Sequence, residues 1–363
     1  MNKRITLRDI AKATGYHYST ISLALRNDPE IAVETRVEIH GVAERMGYSP
    51  DPLARALSIY RASTRPTSYH ATLAWISIEE GSLHNPDYIF RGFSEGAVKR
   101  ASELGYKIEE FCFHTPGITM ENLPRILQSR GINGILVPPR GPRDVDKEIR
   151  MDWSRFPAVA FGYSLHWPQL HLVANCHHRS IRTSVRKLVG LGHRRIGLLF
   201  NKWADIRVDC NWTGGYFAEM NQQKLEPFVF ALESTSPLAS LAKPEVPLVK
   251  AWLKKHRLEA LIVDYSPPVI LWLRTVCRLR IPEDLSVVSL NVESDNAYHS
   301  GIDQNDGESG HAAVDFLVNL IHTNERGIPT IPRRLLIEGS WREGKTVAVR
   351  GRGSQDQISK FPN

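Results

Sequence analysis

The side chains best placed to do chemistry lie in the first 27 residues, and the chemistry they suit is phosphate contact. Lys3, Arg4, Arg8, Lys12 and Arg26 stand there against a single acid, Asp9. The next segment is acidic instead, with Asp28, Glu30, Glu34, Glu38 and Glu44. Positive charge is thus concentrated where docking helices would meet phosphates. The apolar spacing agrees. Leu7, Ile10 and Ala11 fall on one face of a first helix. Gly15 sits at a turn, where positive φ costs glycine nothing. Ile21 with Ala24 or Leu25 forms the buried face of a second helix starting near Tyr18. A third helix is predicted over 33–46, with Val37, Val42 and Met46 as its apolar positions and Gly47 as its stop. Two helices packed steeply through a short turn require this pattern. A three-helix bundle that binds nothing would show it too.

Other chemistries find no residues to carry them. The chain has no GxSxG, no HExxH, no P-loop and no GxGxxG opening a helix after a strand, so no enzyme is expected. Cys112, Cys176, Cys210 and Cys277 are far apart, which excludes a CxxC metal or redox motif and argues for a reducing cytoplasm. No cofactor or metal is expected. Adjacent histidines His177 and His178 lie in a basic run, 176–187, with GHRR following at 192–195. Neighbours on a helix point different ways, so this run suggests a solvated helix face.

The elements that must position these residues are also legible. The chain has 363 residues, 42% hydrophobic and 23% charged, a folded rather than a disordered composition. A net charge of +7 permits an anionic partner without naming one. The charged N-terminus has no apolar core of a signal peptide. No apolar run approaches the roughly 20 residues that span a bilayer. Residues 60–70 are polar, contain Pro66 and lack periodicity, so a linker is expected there. Beyond it, β-rich runs at 71–77, 106–113, 134–139, 158–163, 195–200, 228–232, 259–264 and 286–291 alternate with helix candidates such as 88–104, 179–191 and 310–324. Such alternation predicts parallel sheets with helices on both faces, arranged as two lobes. A ligand then belongs outside the carboxyl ends of the strands, in the cleft. The last residues, 351–363, look like a solvated tail.

TLRDIAKATG at the start, STISLALRN at 19–27, ETR at 34–36 and MGYSPDPLARAL at 46–57 resemble the LacI/GalR family of bacterial transcription repressors. GFSEGAVKRASELGY (92–106), INGILV (132–137), LVGLGHRRIGLL (188–199) and IPEDLSVVSLN (281–291) extend the resemblance, in the family's order, over nearly the whole chain. It implies an α+β multidomain fold: an all-α helix-turn-helix DNA-binding domain followed by a two-lobed, α/β periplasmic-binding-protein-like effector domain. The implied divisions are 1–50 for the helix-turn-helix domain, 51–59 for a hinge helix, 60–70 for the linker and 71–350 for the effector domain. The first lobe would hold about 71–164 and 299–327, the second about 165–298 and 328–350.

The family implies that the second helix enters the major groove, with Tyr18, Ser19 and Leu23 facing bases and Thr6, Thr20, Ser22 and Thr35 touching phosphates. Two departures stand out. The usual Val-Ser at the turn is Tyr16-His17, so the customary hydroxyl cap is missing and His17 is free to donate to a phosphate. Leu23 replaces a frequent Arg, which exchanges guanine recognition for contact with a thymine methyl. In the hinge, Asp51 suits an N-cap and Pro52 the first turn. Leu57 matches the family's minor-groove wedge, with Ala54 and Arg55 as neighbouring contacts. A helix this short forms only against a partner surface, and read without the resemblance, Leu53 and Leu57 would simply staple onto a core.

In the cleft the candidates are Asn85, Tyr88, Tyr163, Trp212, Tyr265, Asn291 and Gln304. Asn291 and Gln304 match family ligand positions. Asn291 stands where sugar-binding relatives carry an acid, Trp212 where they carry an Arg, Tyr265-Ser266 where they carry Asn-Asp, and Asn175 where they carry an Asp. The changes remove charged groups that would grip sugar hydroxyls, while Trp212, Tyr163 and Tyr265 offer ring faces for stacking. An atypical sugar, an aromatic or nucleoside-like ligand, or no ligand all remain open, and so does packing for each aromatic. The implied function is a cytoplasmic, nucleoid-associated homodimer that binds a pseudo-palindromic operator and answers to a small-molecule effector. A ligand-independent DNA-binding regulator is the alternative. A solute-binding protein of the same fold would need a signal peptide and has no use for residues 1–58.

Overall fold

The computed structural model describes residues 5–25, 28, 31–48, 71–78, 82–84, 90–141, 148–233, 245–264, 266–292 and 297–350. The N-terminal unit is three helices, α1 (Leu7–Thr14), α2 (Tyr18–Ala24) and α3 (Val33–Arg45). The backbone N–H of Thr6 donates to Asp9 Oδ2 at 2.8 Å, starting α1. Gly15, at φ 75°, stops it and returns its N–H to the Ala11 carbonyl. Ile10, Ile21, Ala24, Ile39 and Ala43 form the core, with Leu7, Ala11, Leu25, Val42 and Met46 packed around it. Val37 does not join them: it is 68% exposed. It precedes Ile39 by two residues, which turns it roughly 200° away from the core face of α3.

The rest of the described chain builds two six-stranded sheets. The strands are β1 (Ala71–Ser77), β2 (Tyr106–Cys112), β3 (Ile132–Val137), β4 (Ala158–Phe161), β5 (His171–Asn175), β6 (Ile196–Asn201), β7 (Phe228–Leu232), β8 (Ala260–Val263), β9 (Ser286–Ser289), β10 (Gly301–Asp303), β11 (Arg334–Ile337) and β12 (Ser340–Arg342). The first sheet runs β11-β5-β4-β3-β1-β2 and the second β12-β10-β9-β8-β6-β7. Every pairing is parallel except β10 with β12. The apolar runs along β3, β4, β6, β8 and β9 are what strands covered on both faces require.

The helices that cover the sheets are α4 (Arg91–Glu103), α5 (Leu123–Ser129), α6 (His177–Gly190), α7 (Lys202–Arg207), α8 (Asn211–Gln222), α9 (Glu245–Lys255), α10 (Ser266–Thr275) and α11 (Asp306–Thr323). Helices α4 and α11 lie side by side with almost no gap. A Cβ on Gly96 would come within 2.0 Å of the Gly307 carbonyl oxygen, so only glycine fits. Helices α6 and α8 are tied by Glu219, whose carboxylate takes Arg182 Nε and Arg186 Nε at 2.9 Å each. Burial raises the Glu219 carboxyl, but the hydrogen bonds from Arg186, Gln223 and Arg182 outweigh it and hold the group below the usual carboxylate range.

The chain crosses between the sheets three times, at 175–177, 303–306 and 337–340. The expected lobe divisions at 164/165, 298/299 and 327/328 each fall too early. Residues 171–175 pair with β4 and stay in the first sheet. Residues 301–303 belong to the second sheet, and 334–337 return to the first. These strands of three to five residues carry too little periodicity to reveal themselves in sequence. Among the described residues no helix is long and apolar enough to cross a membrane.

Candidate nucleic-acid interface and ligand cleft

Helix α2 is anchored on one side only. Ile21 and Ala24 are buried, and the α2 end is held by His40 Nε2, 3.1 Å from the Ala24 carbonyl. At its start, Tyr16 packs into the core and its Oη donates to Glu38 Oε2 of α3 at 3.0 Å. The opposite side is offered outward: Tyr18 is 49% exposed, His17 and Ser19 are exposed, and Thr20, Ser22 and Leu23 are half-buried. Thr6 is exposed at the α1 N-cap, and Thr35 is half-buried in the first turn of α3. The helix cap expected to be missing is present in another form. His17 is the N-cap of α2, and its ring accepts the Ser19 N–H. Imidazole nitrogen here takes the place of a hydroxyl oxygen. Of the expected hinge contacts, Ala54, Arg55 and Leu57 lie outside the described residues.

The cleft is built from the ends of strands. Tyr163 follows β4, Asn175 ends β5, His177 opens α6, Asn201 ends β6, Asn291 follows β9 and Gln304 follows β10. Tyr163 and His177 ring centres are 6.4 Å apart, and Trp212 meets His177 edge-on at 5.6 Å. Asp205 places Trp212: its Oδ1 accepts the N–H groups of Trp212 and Thr213 at 3.2 and 3.3 Å, closing the start of α8. Arg334 also lies over Tyr163, its guanidinium carbon 5.4 Å from the ring centre. Arg207 of α7 lies over Phe90, 4.9 Å away in the first lobe, and within 5.9 Å of Trp203.

Asn175 is the hub between the lobes. Its Nδ2 donates to the Gln304 carbonyl at 2.6 Å, to Asp306 Oδ1 at 3.0 Å and to Ser309 Oγ at 3.3 Å. The Gln304 carbonyl can only accept, and so can the Asp306 carboxylate, so this position needs a donor, which the Asn175 amide supplies. Burial pushes the Asp306 carboxyl up to about 6, against the pull of Asn175 and Arg207. His177 is the reverse case: burial, reinforced by Arg207, lowers it to about 3, so the imidazole is neutral.

His177 is only 6% exposed, which corrects the expected solvated face. The arginines of α6 occupy that face, while His177 shares the buried one with Ile181, Val185 and Leu188. Trp212 is buried, Tyr163 and Asn291 are half-buried, and Gln304 is buried with its Nε2 donating to the Leu290 carbonyl. Asn85, Tyr88 and Tyr265 lie outside the described residues. His177, Asn201, Trp203, Arg207 and Asp306 were missed; His177 and Trp203 each follow a strand by two residues and Asn201 ends one, which is a local signal for those three. Buried polar atoms without a hydrogen-bond partner gather at these positions: His177 Nδ1, Asn201 Oδ1, Trp203 Nε1, Trp212 Nε1 and Gln304 Oε1. Among the described residues no group of three His, Cys, Asp or Glu side chains is arranged to hold a metal ion.

Residues 6–51 match the model of bacterial regulatory proteins of the lacI family, and residues 185–347 match a periplasmic binding protein-like domain. The chain belongs to the LacI/GalR family of transcriptional regulators. The lactose operon repressor of Escherichia coli K12 is 21% identical over 328 residues, covering 88% of this chain and 85% of the relative. The regulator TreR of the same organism is 37% identical over 237 residues, 62% of this chain and 66% of the relative. Two solved structures share the fold: the lac repressor dimer bound to operator and an anti-inducer, at TM-score 0.54 and 18% identity over 95% of this chain and 100% of that one, and a CelR–cellobiose complex, at 0.55 and 20% over 94% and 100%. The LacI/GalR match starts at Thr6, the α1 N-cap, so the exposed side of α2 falls inside it. Members of this family are DNA-binding regulators rather than enzymes.

Proposed function

We propose that the protein is a cytoplasmic, nucleoid-associated repressor that binds a pseudo-palindromic operator as a homodimer and answers to a small-molecule effector in the cleft. One helix-turn-helix reads a half-site, and two-fold symmetry supplies the second. The observation that carries the DNA reading is the one-sided anchoring of α2, with His17, Tyr18 and Ser19 exposed together at its start. Residues 51–59, as the resemblance implies, act as the hinge that joins the lobes to the reading heads. An effector that changes the relation of the lobes then changes DNA affinity, and DNA changes effector affinity by the same factor.

The effector class follows from the cleft walls. Indole N–H groups only donate, whereas amide oxygens and a neutral imidazole nitrogen accept. A ligand serving Trp212, Trp203, Asn201, Gln304 and His177 therefore carries donors and acceptors around a ring that rests against aromatic side chains. Hydroxylated rings and nucleobases meet that description.

Selection of random duplex DNA by the purified protein at physiological salt tests the reading. A two-fold symmetric site with a pyrimidine–purine step at its centre is expected. Enrichment without a motif, both alone and with a metabolite pool, would refute it. On the selected site Leu57→Ala is expected to reduce DNA bending in a gel-phasing assay while the dimer persists; unchanged bending would remove the wedge from the mechanism.

A further inference from the structure

We infer that the His17 ring fixes the polarity of the Ser19 hydroxyl, so that Ser19 accepts from DNA and selects adenine or cytosine, the bases with a major-groove donor, on the strand it contacts. The inference rests on α2 being the reading helix. His17 Nδ1 accepts the Ser19 backbone N–H at 3.4 Å and lies 2.8 Å from Ser19 Oγ. A ring nitrogen that accepts an amide proton carries none of its own. The proton in the 2.8 Å contact is therefore the one on Ser19 Oγ. A serine hydroxyl has a single proton, so donation to His17 leaves only lone pairs facing outward.

Ser19 is exposed on the side of α2 that also presents Tyr18. In the major groove adenine N6 and cytosine N4 are donors, whereas guanine O6 and N7 and thymine O4 are acceptors. A rotating hydroxyl would satisfy either kind. One committed to His17 serves only adenine or cytosine. The residue at the turn thus acts twice, as helix cap and as a positioning residue that decides what its neighbour reads. The hydroxyl residue usual at this turn has no fixed polarity of its own and would not impose one on Ser19.

The test uses the full-length protein and the site recovered by random-duplex selection. Binding is measured to duplexes carrying each base pair at each half-site position, for wild type, Ser19→Ala, His17→Asp and His17→Lys. Wild type is expected to favour adenine or cytosine at one position by about three- to tenfold, the worth of one neutral hydrogen bond. Ser19→Ala should flatten that position alone. His17→Asp keeps an acceptor beside Ser19 and should keep the preference while lowering overall affinity. His17→Lys places a donor there, releases the serine proton and should shift the preference toward guanine or thymine. Added charge acts on phosphates and leaves the ratio between duplexes unchanged. A wild-type preference for guanine or thymine at the Ser19-dependent position would overturn the inference. So would a symmetric site with no Ser19-dependent position, or an unaltered preference in His17→Lys; each leaves the operator reading standing. Failure to recover a symmetric site would overturn both.

Discussion

In the three-helix unit the residues offered to DNA, His17, Tyr18 and Ser19, are consecutive and exposed, while the cleft gathers Tyr163, Asn175, His177, Asn201, Arg207 and Gln304 from the ends of strands in two sheets. The first arrangement needs only a local turn and a one-sided helix. The second exists only after the chain has crossed between the lobes. Their surroundings differ accordingly. The reading face is exposed to water, where the Tyr18 phenol and the outward lone pairs of Ser19 are solvated at little cost. The cleft is dry enough to lower His177 to about 3 and raise Asp306 to about 6.

The largest expected effect separates the regions by pH. Native His177 stays neutral down to about 3, whereas the unfolded chain takes up a proton near the ordinary 6.5. Its contribution is complete above 6.5 and is lost as pH falls toward 3, by up to about 5 kcal/mol. Asp306 acts in the opposite direction: its contribution is present below the ordinary 3.8 and is lost as pH rises through about 6, by roughly 3 kcal/mol. Denaturant unfolding of the two-lobed domain at pH 4, 5.5 and 7.5 reads both. Relative to wild type, His177→Gln should gain stability on acidification and Asp306→Asn on moving to pH 7.5. Parallel curves for wild type and His177→Gln would mean that the cleft floor is wet.

Next in size is Ile21→Ala, which empties part of a core of five buried side chains among the described residues. A loss of about 2–5 kcal/mol is expected, enough to unfold the three-helix unit. Operator binding should vanish while the unfolding transition of the two-lobed domain stays in place. A shift in that transition would show that the regions are not energetically separate.

How much was legible in sequence follows the same divide. Leu7, Ile10, Gly15, Ile21 and Ala24 were readable because helix spacing alone brings them together. Strands 71–77 and 228–232 were found to the residue, since apolar runs bounded by turns are local too. Val37 and His177 were misplaced for one reason, the choice of helix face. His177 precedes Ile181 by four residues, Val185 by eight and Leu188 by eleven, a spacing that would have placed it inside. The conspicuous arginines of α6 drew attention to the wrong face. Arg207 and Asp306 carried no local signal, because what makes them cleft residues is a crossing between sheets.

Asn175→Asp tests whether the hub depends on a donor. The substitution sets a carboxylate against the Gln304 carbonyl and Asp306 Oδ1. A loss of about 1–3 kcal/mol is expected at pH 8, where neither carboxyl holds a proton. Acidification to pH 5 should restore part of it, as one shared proton recreates a donor. A loss independent of pH would assign the damage to packing instead.

The smallest effect is confined to one base pair. Tyr18 is half exposed and stands beside the His17 cap, so its truncation removes contact area from the reading face without touching Ile21 or Ala24. Tyr18→Ala is expected to cost about 1–3 kcal/mol at a single operator position and to leave the dependence on salt unchanged. A phosphate contact would behave differently: its loss weakens all duplexes alike and lowers the salt slope by about one. Binding of half-site variants at two salt concentrations therefore distinguishes a base-reading tyrosine from one that merely lies along the backbone. A uniform loss would move sequence reading away from Tyr18 and toward Ser19 and Leu23, the other side chains the resemblance turns to the bases.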